Sequence, residues 1–186
     1  MTNRVIIVHG WGGSPKTDFL PWAKAELEKK GYEVIVPSMP DTDYPKIENW
    51  VPYLAEIVGE PREGDILIGH SIGCQTILRY LANLPEGQKV DRVILVAGFV
   101  TLILDDGEDP MIAKPWLETP INFGKVKTKA NKFTVILSDN DPYVSLEENR
   151  TIFEETLGAE ILIEQHKGHF NDMPAERPDL LKLFPV

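Results

Sequence analysis

Asp65-Ile66-Leu67-Ile68-Gly69-His70-Ser71-Ile72-Gly73 is the stretch on which the reading of this chain turns. Its first half is a short run of branched apolar residues, the pattern of a buried strand. It passes directly into Ile72 to Leu84, where apolar residues recur at helical spacing. A strand that reverses sharply into a helix forces the residue at the corner into a strained backbone conformation. Gly69 and Gly73, two positions to either side, remove the Cβ atoms that would collide as the two segments pass. The corner residue is Ser71, so its hydroxyl stands clear of the sheet with the N–H dipoles of the first helical turn beneath it. The plainer reading is a serine that only caps the Ile72 helix.

Outward from this corner, the same alternation fills most of the chain. Val5 to Val8, Glu33 to Val36, Ile66 to Ile68, Val93 to Val96, Thr134 to Leu137 and Glu160 to Ile163 read as strands. They are apolar almost without interruption, which a parallel sheet covered on both faces requires. Between them Phe19 to Lys30, Ile47 to Val58, Ile72 to Leu84 and Leu146 to Leu157 carry helical periodicity, and Gly31 and Gly158 stand where helices end. The expectation is an α/β chain of one domain over 1–186, with about six mostly parallel strands and helices on both faces. From Phe99 to Lys132 the alternation breaks. The acidic run Asp105-Asp106-Gly107-Glu108-Asp109-Pro110, then Pro115, Pro120 and scattered aromatics, describes a lid-like excursion off the sheet.

A serine hydroxyl is a poor nucleophile at its ordinary pKa, so Ser71 needs a base and a group that orients the base. With this strand–serine–helix arrangement the acid and then the histidine follow on loops after later strands. Ser138-Asp139-Asn140-Asp141-Pro142-Tyr143-Val144 supplies the acid and Glu164-Gln165-His166-Lys167-Gly168-His169-Phe170 the base. Asp141 is preferred to Asp139, because Pro142 holds it away from a helical conformation whereas Asp139 reads as a turn former. His169 is preferred to His166, since Gly168 lets the backbone approach the serine and Phe170 can wedge the imidazole in place; His166, beside Lys167, reads as a surface residue. The glycine-rich His9-Gly10-Trp11-Gly12-Gly13-Ser14 turn after the first strand can bring a second N–H to a developing oxyanion. The expected donors are the N–H groups of Trp11 and Ile72. Phe99, Trp116 and Phe123 are the expected walls of a substrate pocket, with sealing of the core as the plainer alternative.

Composition excludes much else. The chain has 186 residues, 42% of them hydrophobic, and a formal net charge of -10, which opposes attraction to nucleic acid or to anionic membrane. Lys125, Lys127, Lys129 and Lys132 run against that sign and read as a solvated loop face. No stretch approaches the ~20 apolar residues of a membrane span, and the opening apolar run is short for a secretory signal. Cys74 is the single cysteine and reads as a buried small hydrophobe, which suits a cytoplasmic location. Gly10-Trp11-Gly12 begins a dinucleotide fingerprint, but Pro15 stands where its third glycine belongs. His166, His169 and Asp172 have no histidine cluster to complete a metal shell. No cofactor and no metal are expected.

Taken together, His9-Gly10-Trp11-Gly12-Gly13, Gly69-His70-Ser71-Ile72-Gly73, Asp141-Pro142-Tyr143-Val144 and Gly168-His169-Phe170 resemble the short α/β hydrolases that include a retinoblastoma-binding protein and bacterial YdeN-type proteins. The resemblance covers nearly the whole chain. It implies a reduced three-layer α/β-hydrolase fold without the first antiparallel strands and with a minimal lid, and a triad of Ser71, Asp141 and His169. The L-x-C-x-E motif associated with the retinoblastoma-binding member does not carry over, because the sequence around Cys74 reads Ser71-Ile72-Gly73-Cys74-Gln75-Thr76. The expected activity is hydrolysis of a small carboxylic ester or related acyl compound, with esterase, thioesterase, amidase and peptidase not separated. The competing expectation is a non-catalytic protein-binding module on the same scaffold.

Overall fold

The computed structural model describes residues 3–62, 64–104 and 110–184. Among them six strands form one sheet: β1 (Arg4–Val8), β2 (Glu33–Ile35), β3 (Ile66–His70), β4 (Val90–Val96), β5 (Ala130–Ser138) and β6 (Glu160–Glu164), in the order β2-β1-β3-β4-β5-β6. Every pairing is parallel, with registers such as Val5↔Ile66 and Ile68↔Ile94.

The near-continuous apolar character of the strands follows from their two-sided burial. Ile6, Val8, Leu67, Val93, Leu95, Val135 and Leu137 point into one core, and Val5, Ile7, Ile66, Ile68, Ile94, Val96 and Ile136 into the other. The first core is covered by α2 (Ile47–Val58), α3 (Ile72–Asn83) and α6 (Leu146–Leu157), through residues such as Trp50, Leu54, Ile77 and Phe153. The second is covered by α1 (Leu20–Lys29) and the 3-10 turn Leu180–Leu183, through Leu20, Ala23, Leu27 and Leu180. The N-terminal edge of the sheet is pinned by a buried pair, Arg4 Nη2 to Asp65 Oδ2 at 2.6 Å and Arg4 Nε to Asp65 Oδ1 at 3.1 Å. The opposite, C-terminal edge is left for loops.

The excursion is shorter than the sequence implies. β5 begins at Ala130, and Lys132, expected outside the sheet, pairs in register with Arg92 and bridges to Glu160 at 2.8 Å. The polar start of that strand is exposed and carries no apolar signal. Residues 105–109 of the acidic run lie outside the described residues. After them come α4 (Pro110–Glu118) and α5 (Phe123–Val126). Lys129 departs from the expected solvated face: it is buried and its Nζ donates to the Pro85 carbonyl at 2.6 Å. Buried Arg79 of α3 ties the excursion down by donating to the Trp116 and Thr119 carbonyls at 2.8 and 2.7 Å. These two acceptors are among the carbonyls a helix end leaves without partners. Burial lowers its guanidinium to about 10.

Candidate active site

The corner after β3 is built as its glycines require. Ser71 has φ 52° and ψ -121°, a conformation costly for a residue with a side chain. A Cβ on Gly69 would lie 2.7 Å from the Cys74 nitrogen, and one on Gly73 would overlap the Val8 carbonyl and lie 2.7 Å from that of His9. Both glycines therefore serve close approach of backbone, of the turn to itself and of α3 to the end of β1. Ser71 N–H donates to the Val96 carbonyl at 3.0 Å, which fastens the corner to β4.

Three loops converge on that corner. His169, after β6, places Nε2 2.9 Å from Ser71 Oγ, and its Nδ1 lies 2.8 Å from Asp141 Oδ2, after β5. An ionised carboxylate only accepts, so Nδ1–H donates to Asp141 and Nε2 is left to accept from the serine hydroxyl. The second oxygen of Asp141 is also occupied, accepting the N–H groups of Tyr143 at 2.9 Å and Val144 at 3.1 Å. The Asp141 side chain is 1% exposed, that of His169 11%.

The competing candidates are used elsewhere, and on each other. Asp139 accepts the backbone N–H of His166 at 2.7 Å, and both are exposed. Between the two acids, Asn140 accepts from Gly168 N–H at 2.9 Å, and Ser138 Oγ accepts from Lys167 N–H at 3.0 Å. The loop after β5 thus holds the loop that carries His169, a role that no local pattern in the chain marks. Gly168 has φ 48°, in the left-handed region. Phe170, expected as a wedge on the imidazole, is fully buried in the second core, where it anchors its loop from below. The imidazole is flanked by Tyr143, edge-on at 5.1 Å between centroids, and by His70 at 5.4 Å.

The loop after β1 is fixed by His9, fully buried against Trp50. Its Nε2 accepts from Met39 N–H at 3.0 Å, and its Nδ1 donates to the Gly10 carbonyl at 2.8 Å. That arrangement uses the neutral ring, and burial pushes His9 below the ordinary histidine range. Trp11 is further held by its indole N–H donating to the Asp43 carbonyl at 2.9 Å.

Trp11, Ile72 and Ser71 line one cleft of about 290 Å³, together with Gly10, His169 and Asn171. Its apolar wall is Phe99, Leu102, Ala113 and Trp116, the last held by its indole N–H on the Pro45 carbonyl at 2.9 Å. Phe123 is not among the lining residues. It begins α5 and packs against the first core, since α5 turns toward α3 and α6 and not toward the cleft. Asp18, His70 and Tyr143 also line the cleft; no motif marks Asp18, and His70 and Tyr143 stand in their motifs with no role that the sequence assigns. Cys74 is buried, burial pushes its thiol well up, and it lies behind the corner with Sγ on the Val96 carbonyl at 3.4 Å. It is no rival to Ser71 as a nucleophile.

Comparison with known proteins agrees with this architecture. The hydrolase YdeN of Bacillus subtilis (strain 168) is 28% identical over 170 residues, 91% of this chain and 87% of that protein. Its crystal structure superposes with a TM-score of 0.82 at 27% identity, over 91% of this chain and 89% of the other. Est1E from Butyrivibrio proteoclasticus, solved with ferulic acid bound, has a TM-score of 0.72 at 14% identity, covering 94% of this chain and 84% of its own. Carboxylesterase CesB from Bacillus subtilis has a TM-score of 0.63 at 14% identity, with 98% and 81% covered. At such identities the last two likenesses speak for the fold, which is the α/β-hydrolase fold reduced to its parallel strands. The serine hydrolase family matches residues 5–174, and it is to this family that the chain belongs.

Proposed function

We propose that this hydrolase cleaves a small carboxylic ester or related acyl compound through an acyl-enzyme on Ser71. One observation carries the reading: the unbroken hydrogen-bonded run from Ser71 Oγ through His169 to Asp141, opening on a cleft of small-molecule size. Ser71 Oγ attacks the carbonyl carbon as its proton passes to His169 Nε2, and the carbonyl π electrons move onto oxygen. The N–H groups of Trp11 and Ile72 hold that oxyanion. When the carbonyl reforms, the bond to the leaving alcohol breaks and the alcohol takes the proton from Nε2. A water repeats the sequence on the acyl-enzyme, releasing the acid and restoring the serine. Asp141 keeps Nδ1–H in place and stabilises the transient imidazolium.

Phe99 and Trp116 supply an apolar wall of the cleft for the acyl or alcohol group. The reaction needs no metal or cofactor, and the substrate is a small molecule. Among the described residues no helix is long and apolar enough to cross a membrane, and the net charge of -10 disfavours anionic surfaces. With buried Cys74 as the single cysteine, we place the protein in the cytoplasm.

The test is labelling by a fluorophosphonate probe and turnover of a panel of esters of graded acyl length. Ser71→Ala is expected to abolish the label and to reduce turnover by about 10⁴-fold or more. A protein-binding module without activity would show no Ser71-dependent label, and that result would refute the proposal.

A further inference from the structure

The cleft has a second polar feature that the hydrolytic cycle above does not use. Asp18, in the left-handed region at φ 56° just before α1, lines the cleft with its side chain 17% exposed, and its Oδ2 lies 3.3 Å from His70 Nδ1. That contact is within ion-pair distance but lacks hydrogen-bond geometry, so His70 Nδ1 has no hydrogen-bond partner although the side chain is 3% exposed. The other ring nitrogen is committed. His70 Nε2 is 2.8 Å from the His169 carbonyl, which can only accept, so Nε2 carries a proton. In the neutral ring Nδ1 then presents a lone pair beside a carboxylate: two acceptors, deeply placed, with no donor between them. A buried acceptor left in that state costs free energy that an incoming donor recovers.

The position is adjacent to the nucleophile. A Cβ placed on Gly10 would stand 3.4 Å from both His70 Nδ1 and Ser71 Cβ, so a single small group spans the gap between the two. Among the described residues lining the cleft there is no lysine or arginine, and Asp141 brings a further carboxylate behind His169. An anionic substrate group would meet a carboxylate and find no cation.

Resting on the hydrolase reading above, we propose that Asp18 and His70 form a donor-accepting subsite beside Ser71. It selects acyl compounds that carry a protonated amine close to the scissile bond and rejects those that carry a carboxylate there. Asp18 thereby sets specificity, and the reacting atoms remain those of Ser71 and its partners.

Three acetate esters of matched size test this: 2-(dimethylamino)ethyl acetate, 3-methylbutyl acetate and 3-acetoxypropanoate. Asp18→Asn keeps shape, and asparagine tolerates the left-handed backbone, so the variant removes charge without adding strain. The wild-type kcat/KM for the cationic ester is expected to exceed that for the anionic ester by about 100-fold, and Asp18→Asn to shrink this ratio by about tenfold. A ratio unmoved by the variant, or an equal fall for all three esters, would overturn the proposal. The equal fall would mark Asp18 as structural, and a wild-type ratio near one would mean that His70 is already charged and neutralises it.

Binding is measured separately in Ser71→Ala by imidazole NMR titration with the same esters. There, Asp18→Asn should raise Kd for the cationic ester by about tenfold and leave that of the neutral ester within about twofold. If the wild type turns over none of the esters but this shift is seen, the hydrolysis proposal fails and the subsite stands. If the Kd values do not move, the subsite fails whatever the activity.

Discussion

Asp141→Asn is the substitution whose outcome the hydrogen bonding dictates most closely. Asparagine has the shape of aspartate, but one terminal atom becomes an NH₂ donor, and the structure decides which. The Oδ1 position receives N–H donors from Tyr143 at 2.9 Å and Val144 at 3.1 Å, so an amide nitrogen there would face two donors. The amide oxygen must take that position, which turns the NH₂ toward His169 Nδ1, 2.8 Å from the present Oδ2. Nδ1 must then accept, the ring proton moves to Nε2, and Nε2–H faces Ser71 Oγ as a donor, unable to take its proton. The general base is lost although every side chain remains in place. Loss of the correct tautomer in a triad costs about 10⁴-fold in kcat, equivalent to about 5 kcal/mol of barrier. Turnover of the best ester, with circular dichroism to verify the fold, provides the assay. Asp139→Asn is the control: among the described residues its carboxylate holds only the His166 N–H, so turnover should fall less than about threefold. If Asp141→Asn kept activity within about tenfold of wild type, or Asp139→Asn were as damaging, the tautomer argument would be wrong.

Two further outcomes follow from strain and burial. Ser71→Gly and Ser71→Ala both remove the hydroxyl but differ in relief of the φ 52° backbone. That relief is of order 1–3 kcal/mol, less about 0.4–1 kcal/mol of glycine chain entropy, so Ser71→Gly should be the more stable in urea by about 1 kcal/mol; equal midpoints would show that the corner stores no strain. For His9, burial lowers the folded-state pKa below the unfolded value of 6.5, so the unfolded chain binds more protons and this contribution to stability is lost as pH falls below about 6.5. The wild type should therefore lose stability between pH 6.5 and 5 more steeply than His9→Gln, by up to about 1.4 kcal/mol per pH unit. Glu164, which burial pushes the opposite way, is common to both proteins and cancels in the difference; parallel curves would contradict the assignment.

The strands, the corner and the two loops beyond β5 and β6 were legible because each depends on a local pattern. Branched apolar runs mark buried strands, and the spacing of Gly69 and Gly73 reports a steric demand that the structure meets with backbone at 2.7 Å. Asp141 was separable from Asp139 by Pro142, a local restraint. What escaped reading depends on tertiary placement. Phe123 and Trp116 are both aromatics of the excursion and both pack on the first core, yet only Trp116 also lines the cleft, and no periodicity spans two such short helices. Lys129 looks like its neighbouring lysines until the Pro85 carbonyl comes within 2.6 Å. Asp18 lies between a glycine-rich turn and a helix, where an acid ordinarily reads as a cap, and its meaning comes from His70, 52 positions later in the chain.

On the proposed reading, the way the loops are tied gives chemistry and selectivity to different parts of the chain. Ser138 and Asn140 hold the backbone of Lys167 and Gly168, Asp139 holds His166, and His70 holds the His169 carbonyl. The loops bearing Ser71, Asp141 and His169 are thus fastened to one another as well as to their strands, so the array is formed without substrate. Two residues of the apolar wall, Ala113 and Trp116, by contrast lie on α4, which is held to α3 through Arg79 and to the loop before α2 through Trp116. A change in α4 or at Asp18 can reshape the cleft while the three hydrogen-bonded side chains stay as they are. Such changes should alter kcat/KM between substrates far more than kcat for the best one, because binding contacts move and the preorganised array does not.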